Sequence, residues 1–319
     1  VWVATDTNHV FLMGGQGTQY FGMARDLYVN APAFRASLDR MDAYVRRIQG
    51  ISVLDYVYDP KRGPADVCDD LPATSAAIVM IEVALFHELA VPGLRPSAVV
   101  GSSLGELAAM AALGYVDVGV VLDVVVDVAR RLVRVAGASG GMLAVLGDPA
   151  LHTTALRGAE IASINHGGHF VLAGDAATLD AAERALGERG LVTARLPVRV
   201  AFHSAHIEAA REAVIAACRG MRFERPDSIL FSSALAARRT RCTPELCWEI
   251  VRSPIRFTDA VSAVPEAEDA VHVDLSPSST LAAIMRGSHP GRVTRQVITP
   301  FHNEIGRLRS LVPAQGGLR

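Results

Sequence analysis

The segment from Pro96 to Leu113 constrains this chain most. A compact apolar run, Pro96 to Val100, breaks at Gly101-Ser102-Ser103-Leu104-Gly105 and resumes from Leu104 to Leu113 as a stretch rich in alanine and leucine. An apolar run of strand length, a tight glycine turn and a helix together are the signature of an α/β fold. The turn matches G-x-S-x-G, in which the serine sits on a strained strand-to-helix elbow. Glycines on both sides let the backbone turn without Cβ clashes, so the Ser103 hydroxyl is presented outward. The next backbone N–H and the helix N-terminus then face the position where negative charge develops during acyl transfer. A serine that merely caps a helix would leave the same letters, and the strand before the turn is what favours a nucleophile.

The rest of the chain keeps the α/β rhythm. Val10 to Met13 reads as a buried strand ending in the turn-rich Gly14-Gly15-Gln16-Gly17-Thr18-Gln19, followed by helical patterns over Met23 to Leu27, Phe34 to Ile48 and Thr74 to Leu89. Between Gly141 and Val200 the segments shorten. Strand-like Met142 to Leu146, helical Ala150 to Leu156, strand-like Ile161 to Asn165 and Phe170 to Ala173, helical Ala177 to Glu188 and strand-like Leu191 to Pro197 give the order βαββαβ. That is a split βαβ unit, expected to fold as an inserted ferredoxin-like subdomain. Beyond it come a helix (Ser204 to Arg219), a strand (Ile229 to Ser232), a helix around Pro244 to Val251, a strand (Ala270 to Asp274) and a helix near Thr280 to Met285. The expected architecture is a hydrolase-like α/β domain with a parallel sheet, residues 1–138 and 201–319, interrupted by a ferredoxin-like subdomain over residues 139–200.

Composition removes other classes. In 319 residues, 33 acidic side chains face 31 basic ones, so no basic field holds a nucleic acid. Glu82, His87 and Glu88 interrupt the apolar stretch Ala76 to Leu94, so no transmembrane helix is expected there. Val1 to Val10 has no basic region followed by an apolar one, and a cytoplasmic location is expected. Cys68, Cys218, Cys242 and Cys247 are too few and too irregular for a disulfide framework, and no histidine stands near them at finger-like spacing, so no metal is expected.

A serine at its free pKa is a weak nucleophile and needs a base, most often histidine. Ten histidines are present. His203 and His206 stand apart, because Ala201-Phe202-His203-Ser204 closes an apolar strand-like run, Leu196 to Phe202, and opens a helix. Active sites of open α/β sheets lie at such strand ends. The residues alone favour this pair and do not separate its members.

Gly15-Gln16-Gly17-Thr18-Gln19, Gly101-Ser102-Ser103-Leu104-Gly105-Glu106, Ala201-Phe202-His203-Ser204, Ser253-Pro254-Ile255-Arg256-Phe257 and Asp274-Leu275-Ser276-Pro277 occur in one order along nearly the whole chain. In this the sequence resembles the malonyl-CoA:acyl-carrier-protein transacylases and polyketide synthase acyltransferases. The resemblance implies that Ser103 forms an acyl ester, that His203 is its base, and that Gln16 and the N–H of Leu104 form the oxyanion hole. It also implies a main-chain carbonyl, at Ile250, to orient the histidine. No cofactor is implied beyond the coenzyme A or phosphopantetheine that carries the substrate.

The chain departs from that family around the acyl group. Ser102 replaces the usual histidine before the nucleophile, and Thr74-Ser75 stands where Thr-Gln is usual. Val128 falls where the family carries an arginine that pairs with the free carboxylate of malonyl groups. Arg130 and Arg131 follow, but two or three residues rotate a helix by about 200–300°, so neither simply replaces it. A buried unpaired carboxylate costs several kcal/mol, so the site is expected to disfavour dicarboxylic acyl groups. Ser75, Ser102, Val128, Asn165 and Phe202 are the expected substrate-binding residues, and Phe202 points the other way, since Val200-Ala201-Phe202-His203 is close to the version associated with malonyl units. An aminoacyl or simple monocarboxylic group, as in discrete acyltransferases of macrolactam-type polyketide pathways, is the expected cargo.

An acidic acyl carrier protein is the implied partner, with Arg238, Arg239 and Arg241 or Arg286, Arg292 and Arg295 as candidate docking clusters. The expected reaction is ping-pong acyl transfer in polyketide biosynthesis. An ordinary malonyl transferase, an acyl-carrier hydrolase and a non-catalytic docking module are the rivals.

Overall fold

The structure, a computed structural model, describes residues 8–90, 93–136, 140–152, 156, 158–265 and 269–311. Its first strand, β1 (His9–Met13), is buried along its whole length. Val10 and Leu12 pack into one apolar cluster and Phe11 and Met13 into another, so a strand that alternates faces is covered on both. The elbow strand β2 (Ala98–Gly101) lies parallel beside β1, pairing Met13 with Gly101.

The main sheet runs in the order β12-β11-β1-β2-β8-β9, with β8 (Leu230–Ser232), β9 (Ala237–Arg238), β11 (Val271–Asp274) and β12 (Thr294–Gln296). Its strands are parallel except for β9, which turns back on β8. Because β1, β2 and β11 are parallel, their carboxyl ends bring the Gly14–Gln19 loop, the Ser102-Ser103 elbow and the Leu275–Ser279 loop to one edge, where ligands of open α/β sheets bind.

Helices cover both faces. On one side lie α1 (Arg25–Asn30), α2 (Pro32–Gln49), α3 (Val53–Val57), α4 (Leu71–Ala90), α5 (Leu104–Ala112) and α6 (Val118–Ala136). Helix α4 is the only described helix long and apolar enough to cross a membrane, and 83% of its apolar stretch is buried inside the fold. Elements β3 (Gly140–Leu146), β4 (Glu160–His166), β5 (His169–Asp175), α7 (Ala176–Gly187) and β6 (Val192–Arg195) form a second, antiparallel sheet in the order β4-β5-β3-β6, with α7 packed on it. A parallel bridge from Ser163 to Ile255 ties this sheet to the larger unit. Part of the helix expected over Ala150 to Leu156, and the expected boundary at 138 and 139, lie outside the described residues.

Downstream come α8 (Arg211–Ala217), a small pairing of β7 (Phe223–Glu224) with β10 (Arg241–Cys242), α9 (Pro244–Arg252), α10 (Phe257–Ser262), α11 (Thr280–Ser288) and α12 (Glu304–Leu311). Two expectations are corrected here. The run Leu196 to Phe202 is not a strand, because β6 ends at Arg195 and Pro197 supplies no N–H to extend the ladder. The helix expected from Ser204 begins as a 3-10 turn over Ala205–Ala210 and becomes α-helical only at Arg211.

Candidate active site

At the elbow Ser103 adopts φ 54° and ψ −124°, outside the regions that L-residues favour. Neighbouring glycines make the turn possible. A Cβ on Gly105 would stand 2.1 Å from the Met13 carbonyl oxygen, and one on Gly101 would stand 2.5 Å from the Glu106 Cα. The strain is held from behind. Ser103 N–H donates to Ser233 Oγ at 3.2 Å, and that hydroxyl donates to Glu106 Oε1 at 3.1 Å. Arg239 Nε in turn donates to Glu106 Oε2 at 3.0 Å, and neither side chain of this ion pair is exposed.

Ser103 Oγ lies 2.8 Å from His203 Nε2, while His203 Nδ1 lies 2.8 Å from the Ser253 carbonyl oxygen. A carbonyl only accepts, so Nδ1 carries the proton and Nε2 keeps a lone pair toward the serine hydroxyl. Burial pushes the His203 pKa down to about 4, opposed by the hydrogen bond to Ser253. The imidazole is therefore neutral wherever the pH exceeds that value. The rate of Ser103 acylation is accordingly expected to hold as pH falls past 6.5 and to decline only through about 4. A pH–rate profile of acyl-adduct formation measures this, and an inflection near 6.5 would contradict it.

The structure separates the two candidate histidines, since His206 is exposed on the 3-10 turn. It also corrects the acceptor. Ile250 lies inside α9 and turns its side chain into the cavity beside Ser103, whereas the imidazole meets the carbonyl of Ser253, the residue that caps the helix. Ser253 is extended and precedes Pro254, so its carbonyl leaves the helix axis and no following N–H claims it. A helix running into Ser-Pro was the sequence signal for this acceptor.

Leu104 occupies the first position of α5, where an amide has no partner within its own helix. Gly15 packs against it, close enough that an added Cβ would stand 3.1 Å from the Leu104 nitrogen. Gln16 follows. Its side-chain amide donates to Ser75 Oγ at 2.8 Å and to Thr74 Oγ1 at 3.3 Å, so it is tied to α4, and the backbone of the loop is what faces the elbow. Gly14 N–H donates to Glu82 Oε1 at 2.5 Å, and burial raises that carboxyl well above its ordinary pKa.

Two cavities meet at Ser103 and Gln16. One is walled by Leu107, Val125, Val128, Ala129, Leu132 and Phe202, with Ser75 and Ile250 also on it. The other runs between the two sheets past Ser102, Ser163, Asn165, His169, Thr280 and Ile284. The expected substrate residues are thus divided, with Ser75, Val128 and Phe202 in the first cavity and Ser102 and Asn165 in the second. Among the described residues, neither lining includes Arg, Lys, Asp or Glu. Arg130 donates instead to the Gln49 side chain and backbone, both at 2.7 Å, and Arg131 pairs with Asp127 at 2.9 Å. The docking expectation is corrected at Arg239, which is buried against Glu106 while Arg238 and Arg241 are exposed. Among the described residues no three His, Cys, Asp or Glu side chains gather as a metal site.

A serine–histidine pair at the carboxyl edge of a parallel sheet, opening on an apolar cavity and a channel, defines a class of α/β enzymes that handle acyl groups. The chain belongs to the acyl transferase domain family, whose model matches residues 10–305, and it is an acyltransferase. It is 33% identical to "Polyketide biosynthesis acyltransferase homolog PksD" of Bacillus subtilis (strain 168), over 95% of each chain. It is 34% identical to "Polyketide biosynthesis acyltransferase homolog BaeD" of Bacillus velezensis (strain DSM 23117 / BGSC 10A6 / LMG 26770 / FZB42), again over 95% of each. The acyltransferase domain from the second module of the salinomycin polyketide synthase superposes with a TM-score of 0.82 at 26% identity, covering 97% of this chain and 73% of that one.

Proposed function

We propose that this acyltransferase moves an acyl group without a free carboxylate from a coenzyme A or carrier-protein thioester to the phosphopantetheine thiol of an acyl carrier protein in polyketide biosynthesis. Residues 1–138 and 201–319 form the catalytic unit in this reading, and residues 139–200 the inserted subdomain. Ser103 Oγ attacks the thioester carbonyl as its proton passes to His203 Nε2, and the backbone amides of Gln16 and Leu104 bear the oxyanion. The C–S bond breaks, and His203 returns the proton to the leaving thiolate. The second thiol then gives its proton to Nε2, its sulfur attacks the ester, the C–O bond breaks and Ser103 is reprotonated.

The channel past Ser102 and Asn165 suits the phosphopantetheine arm, and the cavity at Val128 suits the acyl group. Helix α11, which supplies Thr280 and Ile284 to the channel, also carries exposed Arg286, so the cluster of Arg286, Arg292 and Arg295 is better placed than Arg238 and Arg241 to meet an acidic carrier.

One observation carries the acyl preference: no guanidinium or ammonium among the described residues reaches the cavity where Val128 stands. A malonyl carboxylate there would stay solvated or lose its water unpaired, and either weakens its binding. Competition between malonyl and monocarboxylic acyl thioesters, read as masses acquired by the intact protein, is expected to favour the monocarboxylic groups. Val128→Arg is expected to raise malonyl loading. Efficient malonylation of the wild type with no gain in Val128→Arg would return the protein to the malonyl transferases, and turnover that needs water but no acceptor thiol would make it a hydrolase.

A further inference from the structure

One face of a single helix forms a wall of the acyl cavity. Val125, Val128, Ala129 and Leu132 of α6 all line it, at the i, i+3, i+4, i+7 spacing that stacks side chains along one stripe. At 1.5 Å per residue, the stripe from Val125 to Leu132 spans about 10 Å. Leu107 and Phe202 close it from other elements with apolar side chains. The same lining that lacks a cation for a carboxylate also lacks, among the described residues, a carboxylate for an ammonium. Charged cargo of either sign would therefore be buried unpaired.

A carbon–carbon bond of about 1.5 Å advances an extended chain by about 1.3 Å per carbon, so a chain laid in a slot along this stripe of about 10 Å spans about six to eight carbons. We infer that the cargo is an uncharged aliphatic acyl group of about six to eight carbons laid along α6. This rests on the reading of the Val128 cavity as the acyl site, and it narrows the monocarboxylic and aminoacyl alternatives to one class.

The test is a ladder of coenzyme A thioesters, acetyl through decanoyl, with malonyl and a β-aminoacyl thioester beside them, scored by the rate of adduct formation on Ser103. Each added methylene is expected to raise the rate constant at low thioester concentration about fourfold until the slot is full, with a fall at longer chains. Ala129→Phe is expected to move the optimum to shorter chains, and Leu132→Ala to longer ones, so a variant that fails to fold does not leave the question open. A flat profile, an optimum at acetyl, preference for the aminoacyl thioester, or an optimum that neither folded variant moves would overturn the inference while malonyl remained a poor substrate. Preferred malonyl loading would instead overturn the reading of the site on which it rests.

Discussion

In His203→Ala the rate of acyl transfer is expected to fall by on the order of 100-fold or more, the usual effect of losing a general base. Ser103→Ala is expected to form no adduct at all, because no other hydroxyl sits on a strand-to-helix elbow with glycines on both sides. His206→Ala is expected to keep most of the activity, since that ring is exposed and the Ser103 hydroxyl is bonded to His203. Single-turnover acylation followed by intact mass, with thermal unfolding as the check on folding, measures all three. An adduct on Ser102 in Ser103→Ala, or an essential His206, would show that the nucleophile or its base had been misassigned.

A comparable loss, in stability this time, is expected at the ion pair behind the elbow. Arg239→Ala leaves Glu106 buried and uncompensated, which typically costs about 3–5 kcal/mol. Replacing both partners, as in Arg239→Met with Glu106→Leu, removes the unpaired charge and is expected to recover much of that loss. Because Glu106 accepts from Ser233, whose oxygen holds the Ser103 amide, Arg239→Ala is also expected to slow acylation. The exposed Arg241→Ala is the reference, with an effect within about 0.5 kcal/mol. Equal urea midpoints for Arg239→Ala and Arg241→Ala would contradict the role assigned to the buried pair.

This pair shows where reading the sequence stops. Arg238, Arg239 and Arg241 look alike as letters, and only β9 turning back on β8 buries the middle one against a helix that begins more than a hundred residues earlier. Glu106 is likewise a lone charge in an alanine-rich helix until Ser233 and Arg239 arrive around it.

The sequence by itself determined the elements whose causes are local. A buried apolar run, two glycines and a helix-forming stretch are enough to make an elbow, because the turn's conformation depends on residues within a few positions of Ser103. The alternation of strands and helices, including the strands β3 to β6 and the helix α7 of the second sheet, is legible for the same reason. The tertiary structure decided what depends on distance along the chain. It placed the His203 ring 2.8 Å from Ser103 and left His206 exposed. It moved the supporting carbonyl from Ile250 to Ser253, since a carbonyl at the end of a helix is available only where the helix stops. It also decided that Arg130 and Arg131 leave the acyl cavity uncharged, by giving Arg130 a partner in Gln49 at the end of α2 and Arg131 one in Asp127 on α6. Charge and hydrogen bonding act through space, and a sequence records the groups but not which of them meet.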